Sequence, residues 1–352
     1  MRAERTAAAG TGENRAMQMH FPVFFCSLKV KLKCNGSCCL NCYGEIRQVT
    51  ESGRYVLKIQ LTEKAAEILL ALTALIWGSG FVCYKNLMSL LTPIQFVVVR
   101  SFFSAVCAGL FFLCVIRRAS RREWLGGFLL GGILAAAGLV QTYGIRITSS
   151  GNCAFLTGTN VVMVPFLSWA LTKKKPGRSN LFSALMMFAG VCLLTVDFNN
   201  ITAVNAGDLL SFLGAFLYAV HIAVTGKLSG TVRPKAVTCL QFLALFTLNL
   251  LFVPLEETPF IIPPAAVLPA AYLGIVLIFI GHTLQIICQE KVDSTKAAVL
   301  LSLEGVFGSI FSAILLGERY QLPALAGFVL IFLSILLSQT GGRVRNGPGP
   351  VW

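Results

Sequence analysis

The chain has 352 residues, 56% of them hydrophobic and only 12% charged, with a mean hydropathy of +0.76. Soluble domains carry about 25% charged residues, so this composition excludes a water-soluble globular fold. The formal net charge of +14 would suit nucleic acid or an anionic surface, yet no basic patch is interleaved with base-stacking aromatics, which argues against a nucleic-acid partner.

Residues 1–64 are a polar extension unlike the rest. It holds ten of the 29 Lys and Arg and five of the twelve cysteines: Cys26, Cys34, Cys38, Cys39 and Cys42. The run CNGSCCLNC brings four thiols close enough for one zinc ion, but structural zinc sites use two ligand pairs separated by a loop, and no second pair follows. The extension reads as an unstructured leader or as upstream sequence from a misplaced start codon, with a metal or redox site as the weaker alternative. Its apolar stretch Phe21–Leu28 is short and lacks a small-residue cleavage site, so it does not read as a signal peptide.

Ten apolar segments follow, at 66–87, 93–116, 124–145, 151–172, 180–198, 206–227, 236–255, 267–289, 296–317 and 321–340. Their lengths match the roughly 20 residues with which a helix crosses about 30 Å of hydrocarbon. Backbone groups find no water there and must pair within the segment, so each is predicted to be a helix. Barrel strands would be about half as long and would alternate in polarity. The seven cysteines in or beside these spans act as small apolar residues. Residues 341–352 form a tail.

Charge sorts the connections. Arg117, Arg118, Arg121, Arg122, Lys173, Lys174, Lys175, Arg178, Lys227, Arg233, Lys235, Lys291, Lys296, Arg343 and Arg345 fall on one side, fifteen against Lys85, Arg146 and Arg319 on the other. Cytoplasmic loops hold the Lys/Arg excess, so both termini are predicted to be cytoplasmic in an inner or plasma membrane. The basic balance thus records orientation.

The halves 65–200 and 201–340 echo each other. Adding 141 carries Trp77 onto Tyr218, Pro93 onto Pro234 and Arg100 onto Gln241. Adding 144 carries Gln141 onto Gln285, Ser150 onto Ser294, Ala154 onto Ala298 and Leu156 onto Leu300. Five spans per repeat turn the second copy over in the bilayer, the build of carriers that expose one site to each side in turn.

ALIWGSGFVCYK in span one resembles the opening helix of EamA-type members of the drug/metabolite transporter superfamily, as does Pro93 seven residues ahead of Arg100. GNCAFLTGTNVVMVPFLSWALTKKKP resembles that family's fourth helix, and KAAVLLSLEGVFGSIFSAILLGERYQLPALAGFVLIF its ninth and tenth. Gly305 departs from the pattern where many relatives have Pro, which would soften any kink there. The resemblance implies an all-α membrane protein with ten transmembrane helices as two inverted five-helix repeats. It also implies a central cavity lined by the first four helices of each half, with the fifth and tenth peripheral. Family members move small polar metabolites, often amino acids or related compounds, usually outward.

Polar residues inside the spans are the site candidates. Arg100 lies about 10 Å below the outer boundary at 1.5 Å per residue. An intramembrane Arg is costly and should face a wet cavity or a partner. It is either a fork for a cargo carboxylate or phosphate, or a structural ion pair or outward-reaching side chain. Glu304 lies about 12 Å from the cytoplasmic boundary. Apolar surroundings suit it to reversible protonation, as a proton carrier or amine ligand, with pairing to Arg100 as the alternative. A zwitterionic cargo could bridge the two. His221 and His282 could shuttle protons or simply tie helices together. Gln141, Asn160, Gln241 and Gln285 could hydrogen-bond a polar cargo or act as interhelical glue. Trp77 and Tyr218, at equivalent places, could stack on cargo or pack. Gly126, Gly127, Gly131 and Gly132 in span three suit close helix approach.

No HExxH, phosphate-binding loop or nucleophile elbow is present, so neither an enzyme nor a single-chain ATP-driven pump is expected. No cofactor or metal is expected. The expected partners are a small-molecule substrate and the lipid bilayer, with a homodimer left open. The sequence reading is a secondary transporter exporting a small polar metabolite by alternating access, with proton coupling as an option. The alternative is a membrane-embedded sensor or scaffold that uses the extension.

Overall fold

The computed structural model describes residues 61–148, 153, 156–195, 206–316 and 322–340. The reading of residues 1–60, with their cysteine run, lies outside the described residues, and so does the sensor or scaffold role that would rest on it.

Helix starts follow from capping chemistry. Thr62 accepts the Ala65 N–H ahead of α1 (Glu63–Met88). Thr92 and Gln95 form a capping box, with Pro93 at the first helical position of α2 (Pro93–Ile116). Ser120 and Glu123 form another at the head of α3 (Arg121–Ile147). Helix α4 (Asn160–Thr172) carries Pro165 and stops where Lys173 turns left-handed at φ 59°. After it come α5 (Arg178–Thr195), α6 (Ala206–Leu228) and α7 (Pro234–Leu250). Among the described residues every regular element is helical. Five stretches are long and apolar enough to cross a membrane: α2, α3, α6, Pro234–Leu255 and α8 (Pro264–Cys288).

Two irregularities depart from the straight helices the sequence suggests. Within α8 the turns widen to π geometry over Leu273–Gly281, between α-helical stretches Pro264–Tyr272 and His282–Cys288. Pro269 supplies no N–H to the preceding turn, which favours such a shift of register. The predicted span 296–317 is two helices, α9 (Ser294–Leu301) and α10 (Leu303–Leu316), broken at Ser302. The Ser302 hydroxyl donates back to the Ala298 carbonyl at 2.8 Å, a bond that bends helices. The break falls three residues before Gly305, where a Cβ would meet nothing within 4 Å. The last described helix is α11 (Leu322–Thr340).

Helix α3 packs on α6 and α7, α2 on α7 and α8, α1 on α8, α9 and α10, and α4 on α6. Helices α5 and α11 pack mainly on each other. Small residues allow close crossings: a Cβ on Gly131 would lie 2.5 Å from the Gln241 carbonyl oxygen, so α3 and α7 touch backbone to backbone. Asn249 of α7 donates to the Val97 carbonyl at 3.3 Å and to Ser101 Oγ at 3.2 Å on α2.

Polar ties close the two ends of the bundle. Glu123, 3% exposed, takes both Arg233 Nε at 2.6 Å and Nη2 at 2.9 Å. It also accepts the Arg233 backbone N–H at 3.0 Å, which joins the head of α3 to the head of α7. Lys296 in the first turn of α9 pairs with Glu67 and, at 3.4 Å, with Glu63 of α1. At the opposite ends Thr148 donates to Asp208, Thr92 donates to Glu256, and Gln95 Nε2 donates to the Pro259 carbonyl at 3.1 Å.

Thermal unfolding of the purified protein in detergent checks these contacts. Gly131→Ala should cost about 1–3 kcal/mol by overpacking. Gly132→Ala, whose nearest neighbour would be Leu248 Cδ1 at 3.7 Å, should be neutral or stabilising by up to about 1 kcal/mol through helix propensity. Arg233→Ala leaves the buried Glu123 carboxylate short of its partners and should cost about 1–3 kcal/mol, with Arg233→Lys intermediate.

Candidate functional site

A cavity with about 880 Å³ of atom-free space, part of it open to the outside, lies among α1, α3, α4, α6, α8, α9 and α10. Helix α1 contributes Trp77 and Tyr84, and α3 contributes Gln141 and Ile145. Thr157 and Asn160 come from the chain entering α4, and Tyr218, His221 and Ile222 from α6. Leu277, Ile278, His282 and Gln285 come from α8, and Leu301 and Glu304 from either side of the break at Ser302. Glu304 is the one carboxyl group among the described lining residues.

The backbone irregularities position these side chains. The Trp77 indole N–H donates to the Leu277 carbonyl at 2.9 Å, an oxygen inside the π-helical stretch. Its ring stands 4.9 Å from that of His282, and the His282 ring is 5.7 Å from that of His221. His282 Nδ1–H donates to the Ile278 carbonyl at 3.1 Å, one turn back, which leaves Nε2 as the acceptor of the neutral ring. The break at Ser302 sets Glu304 at the head of a new helix.

Most other polar groups of the wall are engaged with one another. The Tyr218 hydroxyl donates to Gln141 Oε1 at 3.0 Å, and Gln141 Nε2 donates to Thr157 Oγ1 at 3.0 Å. Gln285 Nε2 donates to Gln289 Oε1 at 3.1 Å, leaving Gln285 Oε1 buried without a donor. Glu304 and the Asn160 amide have no hydrogen-bond or ion-pair partner among the described residues.

Eight of the sequence candidates therefore meet in one wall: Trp77, Gln141, Asn160, Tyr218, His221, His282, Gln285 and Glu304. Arg100 and Gln241 do not. Each stands one layer behind it. Gln241, fully buried, accepts from His221 Nε2–H at 3.1 Å. Arg100, 5% exposed, donates through Nη1 to the Tyr84 hydroxyl at 2.6 Å and lies over the Phe96 ring at 4.8 Å. Arg100 and Glu304 form no ion pair, so that sequence alternative is corrected: the guanidinium is stabilised by ring faces and a phenol instead. Tyr84 was missed by sequence reasoning. The signal was its place seven residues after Trp77, which puts both on one helical face.

The sequence profile of the EamA-like transporter family matches residues 64–196 and, a second time, 205–340. The chain belongs to the EamA-like transporter family. Among its relatives, an uncharacterized transporter of Archaeoglobus fulgidus is 30% identical over 272 residues, covering 77% of this chain and 85% of that protein. A second one from the same organism is 26% identical over 285 residues, covering 77% and 96%. The uncharacterized transporter YwfM of Bacillus subtilis is 21% identical over 189 residues, covering 54% and 64%. A solved crystal structure 16% identical in sequence shares the fold, with a TM-score of 0.66 over 78% of this chain and 96% of that one.

In this EamA-like chain the cavity wall draws on both matched segments: Trp77, Tyr84, Gln141, Ile145, Thr157 and Asn160 come from the first, and the other lining residues from the second. Trp77 acts as a strut across that boundary. Trp77→Phe removes the donor to the Leu277 carbonyl and should lower stability by about 1–3 kcal/mol, read as an earlier thermal melt. Tyr218→Phe, which loses the one bond to Gln141 Oε1, should cost about 0.5–1.5 kcal/mol.

Proposed function

We propose that this chain is a secondary transporter that exports a small polar metabolite, an amino acid or related compound, by alternating access. One observation carries the reading: a largely apolar cavity set with a few convergent polar groups, whose wall is shared between the two segments that match one transporter family. In this reading ten transmembrane helices form two inverted five-helix repeats, and the cavity sits at their interface near the bilayer midplane. The peripheral pairing of α5 with α11 supports that assignment.

The polar ties supply the moving parts. Glu123–Arg233 and Lys296–Glu67 join the matched segments at the end that the Lys/Arg excess of the loops assigns to the cytoplasm. Thr148–Asp208, Thr92–Glu256 and Gln95–Pro259 join them at the other end. Opening to either face breaks the ties on that face and keeps the others. The protein would reside in the inner or plasma membrane with both termini cytoplasmic.

Proton coupling is assigned to Glu304, the unpartnered acid of the wall, with His221 and His282 beside it. An acid that faces a cavity open to each side in turn can load a proton on one side and release it on the other. The test is uptake of labelled amino acids into proteoliposomes under a pH gradient of either sign. Wild-type accumulation should follow the gradient. Glu304→Gln should lose at least tenfold of gradient-driven accumulation, and the flux that remains should be the same under either sign of the gradient. Equal gradient-driven accumulation in Glu304→Gln would remove the proton role, and a wild type that moves no amino acid would remove the cargo class.

A further inference from the structure

Tyr84 differs from the other polar residues of the cavity wall in the direction of its hydrogen bond. Arg100 Nη1 donates to the Tyr84 hydroxyl oxygen at 2.6 Å. A guanidinium has donors and no acceptor, so the phenol accepts there and its own proton must be aimed elsewhere. Among the described residues nothing accepts that proton. The phenol lines the cavity.

Arg100 cannot readily replace Tyr84 as the exposed group. Its guanidinium lies between the Phe96 ring, 4.8 Å from the centroid, and Gly138, where even a Cβ would overlap Nη2. It forms no ion pair among the described residues. Its positive charge therefore stands uncompensated behind the phenol and polarises the O–H toward the cavity, because a donor bonded to a cation becomes a stronger donor itself. The same wall holds Glu304, without a partner among the described residues, and the free amide of Asn160. The cavity thus offers one directed donor backed by a cation, and one acid.

We infer that Tyr84 recognises the carboxylate of a zwitterionic cargo, with Arg100 acting through it as a positioning residue rather than as a direct ligand. Glu304 receives the ammonium of the same cargo. The inference rests on the carrier reading and adds to it which group reads which end of the cargo. It also explains how a buried arginine contributes to selectivity without touching the cargo: loss of either Tyr84 or Arg100 removes the same directed donor.

The test uses three matched sets: alanine, leucine and phenylalanine, each beside the amine that lacks the carboxylate and the acid that lacks the ammonium. Binding to the full chain purified in detergent is measured by calorimetry. Wild type should bind at least one amino acid at least tenfold more tightly than its amine. Tyr84→Phe, which keeps the ring and its packing, should bring that ratio close to one by weakening the amino acid and not the amine. Arg100→Gln should act in the same direction, and Arg100→Lys should restore part of the ratio. A purely structural Arg100 would weaken both compounds alike. Glu304→Gln should instead erase the preference for the amino acid over its acid. A wild type that binds amines as well as amino acids in all three sets overturns the inference, and so does Tyr84→Phe with the wild-type ratio. Counterflow of the same compounds across proteoliposomes separates the two readings. Binding with the expected ratios but no flux would sink the carrier reading alone, whereas flux with an unchanged ratio in Tyr84→Phe would sink the role of Tyr84 alone.

Discussion

Inside hydrocarbon a polar group has no water to fall back on, and this single constraint shapes the interior of the protein. Backbone groups meet it by forming helices. Side chains meet it by bonding back to the preceding turn, as Ser101, Ser104 and Thr142 do, or by reaching a neighbouring helix, as Asn249 does from α7 to α2 and Gln289 from the end of α8 to Ile222 on α6. Against that background the exceptions are informative. Among the described residues, the groups of the cavity wall left without protein partners, the Tyr84 proton, the Glu304 carboxyl, the Asn160 amide and Gln285 Oε1, share one space. A bilayer protein tolerates such groups where water or cargo can reach them.

Much of this was legible in the sequence, because hydropathy reports burial in lipid directly. Segment positions came from apolar runs, and eight cavity residues stood out as polar or aromatic positions within them. What sequence could not supply was the face each residue presents. Arg100 and Gln241 have the depth expected of cargo ligands, yet both point into a layer behind the wall, since depth along a helix is readable and rotation about its axis is set by packing. Tyr84 escaped notice for the complementary reason. A tyrosine near a helix end is ordinary at a membrane interface, and only the Arg100 donor at 2.6 Å gives it a direction. The π-helical stretch and the break at Ser302 were equally invisible, for Pro269 and Ser302 are each compatible with a continuous helix.

Those two irregularities occur where they can matter. Both belong to the second matched segment, and both abut the cavity: Leu277, inside the widened turns, receives the Trp77 indole, and Ser302 separates Leu301 from Glu304 in the wall. Widened or broken turns free carbonyls and N–H groups, which is admissible in a membrane only beside a cavity or a protein partner. In the first segment α3 runs unbroken from Arg121 to Ile147 and packs through Gly131 against α7. The first segment has a joint of its own near the corresponding place: Thr159 interrupts the helical run just ahead of α4, and Pro165 lies within α4.

In the proposed alternating-access cycle the unpartnered groups also bear on how the empty form avoids being trapped. With nothing bound, the Tyr84 donor and the Glu304 acid need water, and a cavity sealed at both ends around too little of it is costly. A cargo carrying an acceptor and an ammonium satisfies both groups at once, so its affinity for the sealed form exceeds its affinity for a form in which water already serves them. A ligand moves an equilibrium only by such a difference. The end ties from Glu123 to Arg233 and from Thr148 to Asp208 then need not be strong. They have only to match, within about 1–3 kcal/mol, what hydration of the open cavity returns. In the proposed cycle these ties break in turn, because ties that never broke would hold the protein shut.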